Sequence, residues 1–190
     1  MTASPFVSTE WLATYINDIQ VAIIDASWYL PTMNRDGKKE YAEGHIPNAH
    51  HFDIDAVADK STNLPHMLPS ADEFSRIVGA MGISDKDHII IYDGAGLFAA
   101  ARVWWTFKVM GASHVSLLEG GAPKWRAENR AWTNAPTHRA PRQFNAKFDA
   151  RAVADLATIK STLQNKSAQI VDARPADRFK GEGEDRGRDP

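Results

Sequence analysis

Four short apolar runs rich in β-branched residues punctuate the chain: Val21-Ala-Ile-Ile-Asp-Ala26, Ala49-His-His-Phe52, His88-Ile-Ile-Ile-Tyr92 and Val115-Ser-Leu-Leu118. Stretches with helical spacing of apolar side chains separate them. This alternation predicts an α/β fold, a parallel sheet flanked by helices. In such sheets the carboxyl ends of the strands face the ligand crevice. Asp25, Asp53 with Asp55, and Asp93 follow those ends and are placed where chemistry would be done. The plainer reading is that Asp stops strands and caps helices.

Caps mark the helices. Ser8 or Thr9 can start the first. Ser70-Ala-Asp-Glu73 has the form of a capping box, and Phe74, Ile77, Val78 and Met81 then share one face, with Gly82 as a left-handed stop. A longer helix is expected from about Leu97 to Met110, closed by Gly111, with Phe98, Ala101, Trp105 and Val109 toward the sheet. Pro123 suits the first turn of a short helix. The six tryptophans are expected mainly in core packing.

Composition narrows the function classes. With 22 Lys+Arg against 24 Asp+Glu among 190 residues, the net charge is −2, which leaves no basic footprint for nucleic acid or an anionic membrane. There is no cysteine, so this chain holds no disulfide, zinc-thiolate site, persulfide or thiolate nucleophile. The N-terminus lacks a signal-peptide pattern, and no apolar run approaches the ~18–20 residues of a membrane span. A cytoplasmic location is the expectation.

Ala135-Pro-Thr-His-Arg-Ala-Pro-Arg142 breaks the pattern and reads as a linker. Beyond it, Arg151 to Leu163 has helical spacing, and Gln169-Ile-Val-Asp-Ala-Arg174 has the pattern of another strand. Ala168-Gln-Ile-Val-Asp-Ala173 repeats Val21-Ala-Ile-Ile-Asp-Ala26 at an offset of 172 − 25 = 147 residues, taken from Asp25 and Asp172. A second copy that opens with one helix and one strand cannot close a core, so the remainder of that domain is an expected partner.

Two motifs carry candidate chemistry. Tyr41-Ala-Glu-Gly-His-Ile-Pro-Asn-Ala49 confines His45 between a turn glycine and a proline. His45, His50 and His51 do not read as a metal site, because His50 and His51 face opposite ways on a strand. Tyr92-Asp-Gly-Ala-Gly-Leu-Phe-Ala-Ala-Ala-Arg102 is a strand, a glycine-containing loop and a helix, which makes an anion cradle of backbone amides. It has neither the Walker A lysine nor the three-glycine dinucleotide fingerprint, so a nucleotide is not expected.

These two strings, together with Ser116-Leu-Leu-Glu-Gly-Gly-Ala-Pro-Lys-Trp125, resemble the rhodanese superfamily, and more narrowly the N-terminal portion of tandem-domain thiosulfate/3-mercaptopyruvate sulfurtransferases. The resemblance implies a rhodanese-like domain over 6–135 that is itself non-catalytic, a linker over 136–148, and the incomplete start of a second copy over 149–190. It implies no cofactor. The implied reaction moves sulfur from 3-mercaptopyruvate or thiosulfate, by way of a cysteine persulfide, to cyanide or a thiol. Its nucleophilic cysteine belongs to the second domain's active loop and is absent from this chain, so these 190 residues alone are expected to be inactive.

Further roles follow from the same likeness. Asp93 stands at the active-loop position of the first domain, where a carboxylate cannot hold a transferable sulfur and instead occupies the amide donors. Asp55 and His66 match an acid–base pair that works with a serine of the second domain. Phe98 stands where some relatives have a tyrosine. Arg178, in Asp177-Arg-Phe-Lys-Gly181, matches an arginine that grips the substrate carboxylate, and Arg186, with Arg188 as the alternative, is expected to be its companion. Two other readings remain: a complete rhodanese-like binding or regulatory module, and a phosphatase relative on the same fold, which would also need a cysteine.

Overall fold

A computed structural model describes residues 4–182. In chain order the elements are β1 (Phe6–Val7), α1 (Thr9–Tyr15), β2 (Val21–Asp25), α2 (Gly37–Glu43), β3 (Ala49–His51), α3 (Ala71–Ala80), β4 (His88–Tyr92), α4 (Ala100–Val109), β5 (His114–Leu118), α5 (Gly121–Ala127), α6 (Leu156–Asn165) and α7 (Ala176–Lys180). The five strands form one sheet in the order β1-β5-β4-β2-β3, and every pairing is parallel. β2 and β4 sit inside it, in register from Val21 opposite His88 to Asp25 opposite Tyr92. Asp25 and Asp93 therefore leave the sheet side by side.

Side chains alternate across each strand, and helices cover both faces. On one face Ala22, Ile24, Ile89 and Ile91 pack with Phe74 and Val78 of α3 and Val103 and Phe107 of α4. On the other, Val21, Ile23, Ile90 and Tyr92 pack with Leu12 of α1 and Ala122 and Trp125 of α5. Double coverage explains why β2, β4 and β5 read as nearly continuous apolar runs. Ser8 caps α1 and Ser70 caps α3 through their side-chain oxygens. Glu73 does not close the reciprocal half of a capping box; its carboxylate grips Arg76 instead. Gly82 and Gly111 both take positive φ, as stops at those positions require.

Four local differences from the sequence pattern have physical causes. β1 has only two residues, too few to show a period, and it exists by pairing with β5. α2 falls where the sequence pattern marks no element; Asp36 caps it by accepting from the Lys39 amide at 3.0 Å, and Gly37 lets it approach the end of β2, since a Cβ there would lie 2.0 Å from the Ser27 carbonyl oxygen. α4 begins at Ala100 rather than Leu97, because the residues before it form the turn around Asp93. The expected strand at 169–174 is irregular, with Ile170 and Val171 exposed, since no second strand among the described residues offers it a hydrogen-bonding edge.

The chain divides into two compact units, Met1–Ala150 and Arg151–Pro190. The stretch read as a linker is strapped to the first. Arg139 donates to the carbonyls of Val21 at 3.1 Å and Ile19 at 2.7 Å, and Arg142 donates to both oxygens of buried Asp87 at 2.7 Å. Phe144 completes the strap by inserting between Phe74 and Phe107 in the core. The second unit contains α6 and α7, neither of which has a buried residue. No helix among the described residues is long and apolar enough to cross a membrane.

Candidate active-site crevice

The loop after β4 closes around its own first residue. Asp93 is 1% exposed, and its carboxylate accepts from four backbone amides: Ala95 at 2.9 Å, Phe98 at 2.6 Å, and Ala99 and Ala100 at 2.8 Å each. The last three converge on Oδ2. Ala99 and Ala100 open α4, where no adjacent side chain supplies a cap, so Asp93 satisfies the orphan amides from six and seven residues away. The Asp93 carbonyl accepts from Ala122 at 3.0 Å, and Gly94 donates to Ser27 Oγ at 2.8 Å. An anion cradle is present, and a side chain fills it.

Beyond β3 the chain turns sharply at Asp53, whose Oδ1 accepts from the amides of Asp55 at 2.9 Å and Ala56 at 3.0 Å. This Asx turn projects the Asp55 side chain. Trp28 donates from Nε1 to Asp55 Oδ2 at 2.8 Å, and His66 Nδ1 lies 3.2 Å from Oδ1. That nitrogen is buried and makes no hydrogen bond, so the two side chains lie within hydrogen-bond distance without a formed bond. His66 adopts φ 56, and Arg102 of α4 donates to its carbonyl at 2.5 Å. Burial lowers the pKa of Arg102, whose guanidinium also lies 4.7 Å over the Trp105 ring. The Trp28 indole meets the His66 ring edge-on at 5.0 Å and stacks on Phe98 at 6.5 Å.

The structure thus brings Asp55 and His66 together beside a cleft of about 350 Å³ lined by Trp28, Arg35, His51, Asp53 and Asp55. A larger cleft of about 770 Å³ lies around Asp25, Ser27, Arg35, Tyr41, Gly94 and Arg126. Asp25 is a buried floor residue, its pKa raised by desolvation although Ser27 donates to it at 2.9 Å. Arg35 is engaged by Glu40 in two bonds of 2.7 Å.

The three histidines near β3 do not converge. His45 is buried and stacked on Tyr41, with Nδ1 2.8 Å from the Tyr41 carbonyl, and its backbone bridges to Thr133. Burial pushes His50 down to about 4, helped by Arg139, His138 and His45, whereas His51 points at the Ser27 carbonyl. Arg178 is on α7 in the second unit and is half-buried. Arg186 and Arg188 lie outside the described residues.

Sequence reading missed Trp28 and Arg102. Tryptophan was assigned to core packing, and of the six only Trp125 is fully buried. Trp28 directly follows Ser27 at the crevice end of β2, which was the available signal. Arg102 lay unused at the end of the loop-and-helix string.

A pattern for the rhodanese-like domain matches residues 8–128. Among curated proteins, the human 3-mercaptopyruvate sulfurtransferase is 38% identical over 92% of this chain and 61% of its own length. The mitochondrial thiosulfate/3-mercaptopyruvate sulfurtransferase 1 of Arabidopsis thaliana is 37% identical over 95% of this chain and 53% of its own. The chain therefore spans little more than half the length of these relatives. The crystal structure of SseA from Escherichia coli, described as a 3-mercaptopyruvate sulfotransferase, superposes with a TM-score of 0.89 at 37% identity over 95% of this chain and 69% of that one. A crevice built on a five-stranded parallel sheet, a filled amide cradle at Asp93 and these matches lead to one family: the chain belongs to the rhodanese-like domain proteins of the thiosulfate/3-mercaptopyruvate sulfurtransferase group.

Proposed function

We propose that this chain supplies the acid–base half of a 3-mercaptopyruvate-type sulfurtransferase whose cysteine and serine lie on sequence outside these 190 residues. The observation that carries the reading is the Asp55–His66 contact of 3.2 Å, made at the crevice end of a sheet whose own anion cradle is closed. A carboxylate beside an imidazole orients it for proton transfer near neutral pH. In the proposed step the cysteine thiolate attacks the sulfur of 3-mercaptopyruvate. The S–S bond forms as the C–S bond breaks, and the proton of the donor thiol passes through His66 to the departing pyruvate carbon. The persulfide then yields its outer sulfur to cyanide or a thiol. Arg178 and Arg186 are assigned to the substrate carboxylate by their match to the family motif.

The 147-residue offset supports a second copy: α6 starts at residue 156 and α1 at residue 9, again 156 − 9 = 147. In this reading 6–135 is the non-catalytic first domain, 136–148 the connection and 149–190 the opening of the second domain. A binding module is favoured instead by the absence of cysteine together with the plugged cradle.

One experiment separates the two. The 190-residue chain should form no thiocyanate from cyanide with either 3-mercaptopyruvate or thiosulfate, and adding a fragment carrying the rest of the second domain should restore turnover. His66→Ala should then slow it by ~10²-fold or more, the usual scale of acid–base catalysis. Turnover by the chain alone, or an unchanged rate in the variant, defeats the proposal; no rescue at all favours the binding module.

A further inference from the structure

Trp28 belongs to neither core cluster, and its bonded and ring contacts all lie at the crevice. Nε1 donates to Asp55 Oδ2, the ring edge faces His66, and the ring face lies 8° from parallel to Phe98. The Phe98 backbone is held in place, its amide donating to Asp93 at 2.6 Å. Asp55 is 59% exposed, and an exposed carboxylate ordinarily samples several rotamers. The indole N–H removes that freedom. With Oδ2 engaged by Trp28, Oδ1 is left 3.2 Å from His66 Nδ1, close enough for a turn of the imidazole to close an Nδ1–H···Oδ1 bond.

We infer that Trp28 is a positioning residue: through Asp55 it selects the neutral His66 tautomer protonated at Nδ1 and so leaves Nε2 as the proton acceptor. Which ring nitrogen carries the proton is set by the hydrogen bond the ring makes, and the acceptor within reach of Nδ1 is the carboxylate Trp28 holds. The inference rests on the acid–base reading of Asp55 and His66 but is tested without turnover, so the two can fail separately.

The test uses the 190-residue chain labelled with 15N in histidine and tryptophan, at an alkaline pH where the rings are neutral. Long-range 1H–15N spectra should show His66 mainly as the Nδ1–H form. In Trp28→Phe, which keeps an aromatic ring but lacks the donor, the Nε2–H form should become the major species. Asp55→Asn should cause the same shift, and the double variant should add nothing further. A Trp28→Phe tautomer equal to wild type, or an additional shift in the double variant, overturns the inference. Should Trp28→Phe fail to fold, Asp55→Ala on the exposed partner decides the matter. The Trp28 indole N–H signal should then move and exchange faster with water, and an unmoved signal overturns the inference.

Discussion

Asp93 satisfies four amides with one buried carboxylate, and removing it would leave the buried amides of Ala99 and Ala100 without an acceptor, while those of exposed Ala95 and Phe98 could turn to water. Losing a hydrogen bond to a charged group costs ~1.5–3 kcal/mol, and these bonds act as one network. Asp93→Ala should therefore lower the unfolding free energy by about 3 kcal/mol or more in urea titrations, and Asp93→Asn by less, because an amide keeps one accepting oxygen. His50 sets a pH dependence. Burial holds its folded pKa at about 4, below the ordinary histidine value of 6.5. Between these values the unfolded chain binds the extra proton, so stability is complete above about pH 6.5 and falls as pH drops toward 4. His88, lowered by burial and by His114, acts in the same direction. His50→Gln should flatten the slope of unfolding free energy against pH in that window. An unchanged slope would mean that His50 is solvated.

At the scale of elements, the strap after α5 carries more than its composition suggests. Proline, arginine and alanine from 135 to 142 gave no period and read as linker, because the forces that fix this stretch are long-range: guanidinium bonds to carbonyls over a hundred residues away in sequence, and one phenylalanine. Phe144→Ala should cost ~3–5 kcal/mol, the usual price of a large aromatic truncation in a core, and should open 136–148 to limited proteolysis. Cleavage at the wild-type rate would show that the arginines alone hold the strap. β2, β4 and β5 were legible because burial on both faces writes itself as a nearly continuous apolar run. β1 and the irregular stretch at 169–174 were not, since a strand exists only where a neighbour offers an edge, and that neighbour is not encoded locally. Asp55 and His66 were legible through family motifs, whereas Trp28 was hidden by the default that tryptophan packs cores.

For the whole molecule, the two units differ in what holds them. The first has helices buried against both faces of a sheet, while α6 and α7 bury no residue. Helices of ten and five residues without a packed face are marginal in water. Hydrogen exchange should accordingly show amides of β2 and β4 protected to the global limit and those of 156–180 exchanging orders of magnitude faster. Comparable protection in both would mean that the second unit has a stabilising partner surface. The filled cradle at Asp93 has a consequence for how the protein meets its medium. A tethered carboxylate acts as a built-in inhibitor at a local concentration no solute can match, so sulfate, sulfite or thiosulfate finds no vacancy there. Sensitivity to such anions would have to arise at a site other than this loop.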